Sequence, residues 1–286
     1  MKVKELMSAP VLAVKPTDTV AHARKLMLRG KVKRLVVMER GRLVGLLTVR
    51  DIIARLKASS PTWRLRTVDN VLVSRVMSDE VQSVSPETDV NKAVAMMLDR
   101  DVSSLVVMDG DKVVGILTKT DVVRYFSESL EKRFQVKDLM SRDVVTVRRS
   151  QSVARVVELM EEFNVRSVVV TDGKKPVGVI MDRDLAFAQL EHPEKGVKEK
   201  ELKYTRKVER GGRPRGRYVK YVALLTADDI MRRDQVTINP EADAAVAAEL
   251  MIRSGISGVP VVKGEKLVGI VTKTDLLKGV RRAGIG

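Results

Sequence analysis

Paired apolar runs separated by turn residues recur along the chain: KRLVVMERGRLVGLLT, SSLVVMDGDKVVGILT, RSVVVTDGKKPVGVIM and GVPVVKGEKLVGIVT. Each predicts a β-hairpin, two strands joined by a glycine-containing turn. Ahead of each hairpin lies a segment with apolar residues at helical spacing, such as Thr19-Val20-Ala21-His22-Ala23-Arg24-Lys25-Leu26-Met27-Leu28. Ahead of that comes a short apolar run (VLAV, VQSV, VVTV, QVTI), followed in three copies by a proline-containing turn. A recurrent aspartate follows each hairpin, where an acidic residue suits the first turn of a closing helix. The pattern predicts a β-α-β-β-α unit of about 55 residues, repeated four times.

The copies share one register. Methionines open them at Met7, Met77, Met140 and Met231, and an aspartate stands 44 positions later in each, at Asp51, Asp121, Asp184 and Asp275. A second methionine recurs 20 positions on (Met27, Met97, Met160, Met251) and a glycine 38 positions on (Gly45, Gly115, Gly178, Gly269). The methionines are read as core filler. So small a unit buries little apolar area alone, so pairing is expected. Successive opening methionines are 70, 63 and 91 positions apart; the simplest organisation pairs repeat 1 with 2 and 3 with 4, and the long third gap does not contradict it, because an insertion can sit on a surface loop. Each pair is expected to hold two small sheets packed through their helices. The expected divisions are 1–58, 71–130, 134–190 and 223–282, with a basic insert over 191–222 in the long third gap.

Composition narrows the chemistry. The chain lacks cysteine and has only two histidines, His22 and His192, which excludes disulfides and thiolate metal sites and argues against a Ser-His-Asp relay. No nucleophile–base pair or metal cluster is evident, so no enzyme activity, cofactor or metal is expected. No apolar run approaches the roughly 18–20 residues of a membrane span. The opening MKVKELMSAP lacks the apolar stretch of a signal peptide, so a cytoplasmic protein is expected. The net charge of +16 favours anionic partners.

The segments V-x-E-L-M-S and V-K-D-L-M-S, with GLLTVRD, GILTKTD and GIVTKTD, resemble the cystathionine-β-synthase (CBS) domain, which occurs in tandem pairs called Bateman modules. The resemblance implies an α/β (α+β) chain whose four repeats form two pseudo-twofold modules. Four repeats in one chain resemble the gamma subunit of AMP-activated protein kinase and its archaeal relatives, and Lys31–Met38 falls where that family has a His-Arg-Leu-Pro-Val-like strand. The implied ligand is an adenine nucleotide (AMP, ADP or ATP), with S-adenosylmethionine as an alternative.

The resemblance also implies site residues. The aspartates Asp51, Asp121, Asp184 and Asp275 would accept hydrogen bonds from a ribose diol. Thr48, Thr118 and Thr272, three positions earlier, would donate to a phosphate or ribose oxygen, whereas repeat 3 carries Met181 there. Thr146 and Thr237 would line the clefts. Lys33, Arg34 and Arg166 stand where the kinase subunit holds phosphate, and repeats 2 and 4 carry Ser103–Ser104 and Ser257–Gly258 instead. Each Thr–Asp pair is equally compatible with simple capping of the closing helix. The implied function is a regulatory sensor, monomeric or homodimeric, that alters an interface with an unidentified protein.

Residues 195–220 carry 11 Lys or Arg against 3 Glu, and Tyr204, Tyr218 and Tyr221 lie within or beside them. Their order predicts a hairpin with a flexible tip. Basic residues interleaved with aromatics can bind nucleic acid. A nucleic-acid-binding protein acting through this insert is therefore the competing reading, beside a plain surface hairpin or a protein contact.

Overall fold

The computed structural model describes residues 1–52, 70–182, 184–185, 199–205, 216–222, 225–233 and 236–284. Each repeat has the expected hairpin. The strand pairs are Arg34–Glu39 with Arg42–Thr48, Ser104–Asp109 with Lys112–Thr118, Ser167–Asp172 with Lys175–Met181, and Gly258–Lys263 with Lys266–Thr272. In the first three repeats a short opening strand joins in parallel (Ala13–Val14, Ser83–Val84, Thr146–Arg148), and in repeat 4 a single bridge, Ile238 to Val261, does so. Every hairpin shifts register at the same place, as between Val37 and Met38 or Val107 and Met108. The amphipathic helices Val20–Arg29, Val90–Asp99, Val153–Glu162 and Ala244–Arg253 lie between opening strand and hairpin. Each begins on a Thr, Asp or Ser whose side chain accepts a backbone N–H of the first turn.

The repeats exchange their openings. Ser8 of repeat 1 makes two backbone hydrogen bonds with Ile116 of repeat 2, at 2.9 and 3.0 Å, and Ser78 of repeat 2 does the same with Leu46 of repeat 1, both at 2.9 Å. Ser141 with Ile270 and Arg232 with Val179 repeat the arrangement between repeats 3 and 4. The recurrent glycine explains itself here. A Cβ on Gly115 would meet Met7 Sδ at 2.5 Å, one on Gly45 would meet Met77 Sδ at 2.8 Å, and Gly178 and Gly269 bear the same relation to Met231 and Met140. The opening methionines thus lie across the partner repeat's hairpin. They do fill apolar core, as expected, and the glycine contact adds that they do so on the partner repeat's hairpin.

One correction concerns the helices. The closing helix Lys119–Ser129 of repeat 2 packs against Ala244–Arg253 and Lys273–Ala283 of repeat 4, and Val90–Asp99 also meets the latter. Buried residues form two clusters, one dominated by repeats 2 and 4 (Met97, Leu105, Phe126, Met251, Val271, Leu277) and one by repeats 1 and 3 (Met27, Leu35, Leu47, Met160, Val168, Ile180). Helices therefore join the two pairs to each other, whereas exchanged openings bind each pair together. The apolar face of the helices is satisfied across the pair boundary, which the sequence pattern does not specify.

In the insert, Glu199–Thr205 pairs antiparallel with Gly216–Val222, as predicted for a hairpin, and among the described strands it joins no other sheet. The proposed tip lies outside the described residues. Among the described residues no helix is long and apolar enough to cross a membrane.

Gly269→Ala tests the exchanged opening, because the new methyl would stand 2.8 Å from Met140 Sδ and 2.9 Å from the Ser141 carbonyl oxygen. Crowding of this kind costs about 1–3 kcal/mol. We expect the denaturation midpoint to fall accordingly; an unchanged midpoint would show that the opening is held loosely.

Candidate functional site

Each recurrent aspartate sits in the first turn of its closing helix, and its two oxygens are used differently. In repeat 2, Asp121 Oδ2 accepts the Thr118 N–H at 2.8 Å and the Thr118 hydroxyl at 2.6 Å, and Asp275 Oδ2 accepts the same groups of Thr272 at 2.9 and 2.7 Å. Asp51 is held by Thr48 with both distances at 2.7 Å. Capping is thus real at all three. The threonine hydroxyl, expected to donate to a ligand, donates a hydrogen bond to the carboxylate here.

At Asp121 and Asp275 the other oxygen, Oδ1, meets the exchanged opening of the partner repeat, with Arg124 and Lys278 of the same helices at 3.5 and 3.4 Å. Ser8 Oγ donates to Asp121 Oδ1 at 2.9 Å and Ser141 Oγ to Asp275 Oδ1 at 3.4 Å. Repeat 3 departs from this. Asp184 Oδ2 accepts only the Met181 N–H in the cap position, at 2.9 Å, and Oδ1 is taken by Arg232 Nε at 2.8 Å. Burial raises the Asp184 carboxyl above its ordinary range, opposed chiefly by Arg232.

Residues from all four repeats converge on one cavity of ≈ 440 Å³. Of the predicted site residues it brings together Lys33, Arg34, Thr48, Asp51, Arg166, Thr272 and Asp275. Thr118, Asp121 and Asp184 are not among its lining residues, and neither are Thr146 and Thr237, which are exposed. Arg34 is anchored across the pair by Ser103, which accepts through its carbonyl at 2.9 Å and its hydroxyl at 3.2 Å. The serine that replaces a cation in repeat 2 is therefore the seat of the cation from repeat 1. Arg50 donates to Asn164, whose amide donates to Asp101 Oδ2 at 2.9 Å, so repeats 1, 3 and 2 are stitched around the rim. Asp101 and Asn164 hold left-handed backbone there (φ +45° and +48°), at equivalent turns after their helices.

Two lysines at the centre carry the strongest electrostatic signal, and the sequence reading did not single them out. Lys119 Nζ of repeat 2 donates to Thr274 Oγ1 of repeat 4 at 3.0 Å, and Lys273 Nζ of repeat 4 donates back to Thr120 Oγ1 of repeat 2 at 2.7 Å. Burial, followed by the charges of Arg166 for Lys119 and of Lys33 and Arg34 for Lys273, lowers their pKa to about 8 and about 7 respectively. Burial likewise lowers Arg34 to about 10, and it lowers Arg166. Asp182 and Asp101 temper this field without cancelling it. The available signal was the lysine shared by GILTKTD and GIVTKTD but missing from GLLTVRD.

With this geometry in view, comparison with known proteins is decisive about family. The model of the CBS domain matches residues 3–58, 73–128, 136–191 and 227–282. The chain belongs to the CBS-domain family. It is 31% identical over 286 aligned residues to uncharacterized protein MJ1404 of Methanocaldococcus jannaschii, covering 96% of this chain and 61% of that relative, so it spans less than two thirds of the relative's length. Uncharacterized protein MJ1225 of the same organism is 23% identical over 94% of each chain. The crystal structure of MJ1225, titled a proposed archaeal homolog of g-AMPK, superposes with a TM-score of 0.79 at 20% identity, covering 98% of this chain and 99% of that one. A conserved Pyrococcus horikoshii protein gives a TM-score of 0.64 at 21% identity, covering 98% and 100%. These likenesses establish a four-repeat CBS fold.

The central lysines have a signature in stability. The unfolded chain holds the Lys273 proton up to its ordinary 10.5, whereas the folded chain releases it from about 7. Below about pH 7 both states are protonated and the burial penalty is full; it is relieved as pH rises from about 7 toward 10.5. We expect Lys273→Met to stabilise the ligand-free chain most at low pH, with the difference from wild type shrinking by pH 9. A pH-independent difference in denaturation midpoint would contradict this.

Proposed function

We propose that the chain is a non-catalytic adenine-nucleotide sensor that places ligand phosphates among the central cations and so alters an interface read by a partner protein. One observation carries this reading: Asp51 and Asp275, the diol-type carboxylates of repeats 1 and 4, open into the same cavity as Lys33, Arg34, Lys119, Arg166 and Lys273. A buried cluster of cations is costly unless an anion neutralises it. A nucleotide supplies both complements, a ribose for the carboxylate and phosphate for the cations. S-adenosylmethionine offers the ribose but carries a sulfonium in place of phosphate, so the positive cavity disfavours it. Because all four repeats contribute to the cavity, a bound phosphate acts on the contacts between the pairs. Ligand shifts the conformation only through a difference in affinity between two states.

Calorimetric titration of the full chain with AMP, ADP, ATP and S-adenosylmethionine tests the reading. Saturable binding of nucleotides, tighter than of S-adenosylmethionine, is expected. A hydrogen bond to a charged group is worth about 1.5–3 kcal/mol, so Asp51→Ala and Asp275→Ala should each weaken one binding event about tenfold or more. No nucleotide binding at millimolar concentration would sink the proposal.

Affinity should also fall between about pH 7 and 9 as Lys273 and Lys119 lose their protons, from pKa values of about 7 and about 8. The phosphate monoester itself titrates near pH 6, below this window. A flat profile would remove the two lysines from the phosphate site.

A further inference from the structure

We infer that Arg232, together with Met181, closes the fourth cleft from within, so that the wild-type chain can hold adenine nucleotide at three aspartates at most. The inference rests on the nucleotide reading above and extends it to a residue outside the repeat's recurrent pattern.

Residues Ser8, Ser78, Ser141 and Arg232 each follow an opening methionine, and each pairs by backbone with the hairpin of the partner repeat. Three of the four are serine. Ser8 and Ser141 offer a hydroxyl to Oδ1 of the facing aspartate, and Ser78 shares the cavity lining with Asp51. A hydroxyl is small, uncharged and free to rotate, so a ribose diol can displace or share its hydrogen bond.

Arg232 is different in each respect. Its Nε lies 2.8 Å from Asp184 Oδ1, the side chain of Asp184 is 7% exposed and that of Arg232 is 34% exposed. A serine bond to a carboxylate is charge-assisted through the acceptor alone, whereas the guanidinium adds an opposite charge and makes an ion pair with the buried Asp184. A diol would have to break it and leave a guanidinium uncompensated. Repeat 3 also explains why an arginine stands there. Where the other repeats supply two cap donors from threonine, Met181 supplies one, and Arg232 provides the missing compensation for the buried charge. Met181 and Arg232 therefore form one unit, and neither alone accounts for the closure.

The test counts sites. Arg232→Ser restores the serine of the other clefts, and Met181→Thr/Arg232→Ser also restores the second cap donor, which guards against misfolding of the single variant. We expect the double variant, shown folded by its thermal transition, to bind one more equivalent of AMP than wild type in calorimetry. In the otherwise wild-type chain, Asp184→Asn should leave the AMP count unchanged, whereas Asp275→Asn should lower it by one. A folded double variant with the wild-type count, or loss of a binding event in Asp184→Asn, overturns the closure while leaving the nucleotide reading intact. A wild-type chain that binds no AMP, ADP or ATP overturns the nucleotide reading itself and the closure with it.

Discussion

The exchange of the opening segments governs the rest of the molecule. Two backbone hydrogen bonds and a methionine laid over a glycine fix each opening on its partner repeat. A side chain at that glycine would collide with sulfur and with a carbonyl oxygen, so the hairpin must be bare there. Once the opening is fixed, the residue after the methionine necessarily faces the first turn of the partner's closing helix. Each recurrent aspartate is therefore faced by a residue of the partner repeat, a serine in three cases and Arg232 in the fourth. No repeat owns a complete site.

The cations follow a related logic. Arg34 comes from repeat 1 but rests on Ser103 of repeat 2, and Lys119 and Lys273 cross between repeats 2 and 4. Like charges gather because separate structural demands deliver them: cross-pair hydrogen bonds for the lysines and hairpin edges for Lys33, Arg34 and Arg166. Burial, and after it the charge of their neighbours, lowers the affinity of Lys119 and Lys273 for their protons. The cross-repeat hydrogen bonds hold these cations in place before any anion arrives, so on the proposed reading little binding energy would go into rearrangement. The same field makes the centre sensitive to pH in a range where isolated lysines are not.

Much of the fold was legible because the repeat keeps register over four copies, and period, turns and strand content agreed. The thermodynamic reason for the recurrent methionine and glycine was not legible, since it depends on a contact between repeats. The helix partners were missed for the same reason: an apolar helix face states that it must be buried and is silent about where. At the site, Asp51, Asp275, Arg34 and Arg166 could be picked out by motif. Lys119 and Lys273 could not be weighed without knowing that repeats 2 and 4 meet at their closing helices. The threonine hydroxyls take the capping contact that the motif also allows, because a motif names a donor without saying which acceptor lies nearest. Arg232 left a visible trace, Met-Arg where three copies have Met-Ser, but its meaning needed the facing carboxylate.

The two kinds of joint, exchanged openings within pairs and shared apolar clusters between repeats 1 and 3 and between 2 and 4, link the four units into a closed circuit. Such a circuit constrains how the gene can change length. Losing one unit would strip the opening from one neighbour and expose the helix face of another, so two surfaces would be orphaned at once. Gaining one would leave a donor without a receiver. A lone pair of repeats would keep its exchanged openings but leave the helix faces of both its repeats uncovered, so two pairs are the smallest set in which both kinds of joint close.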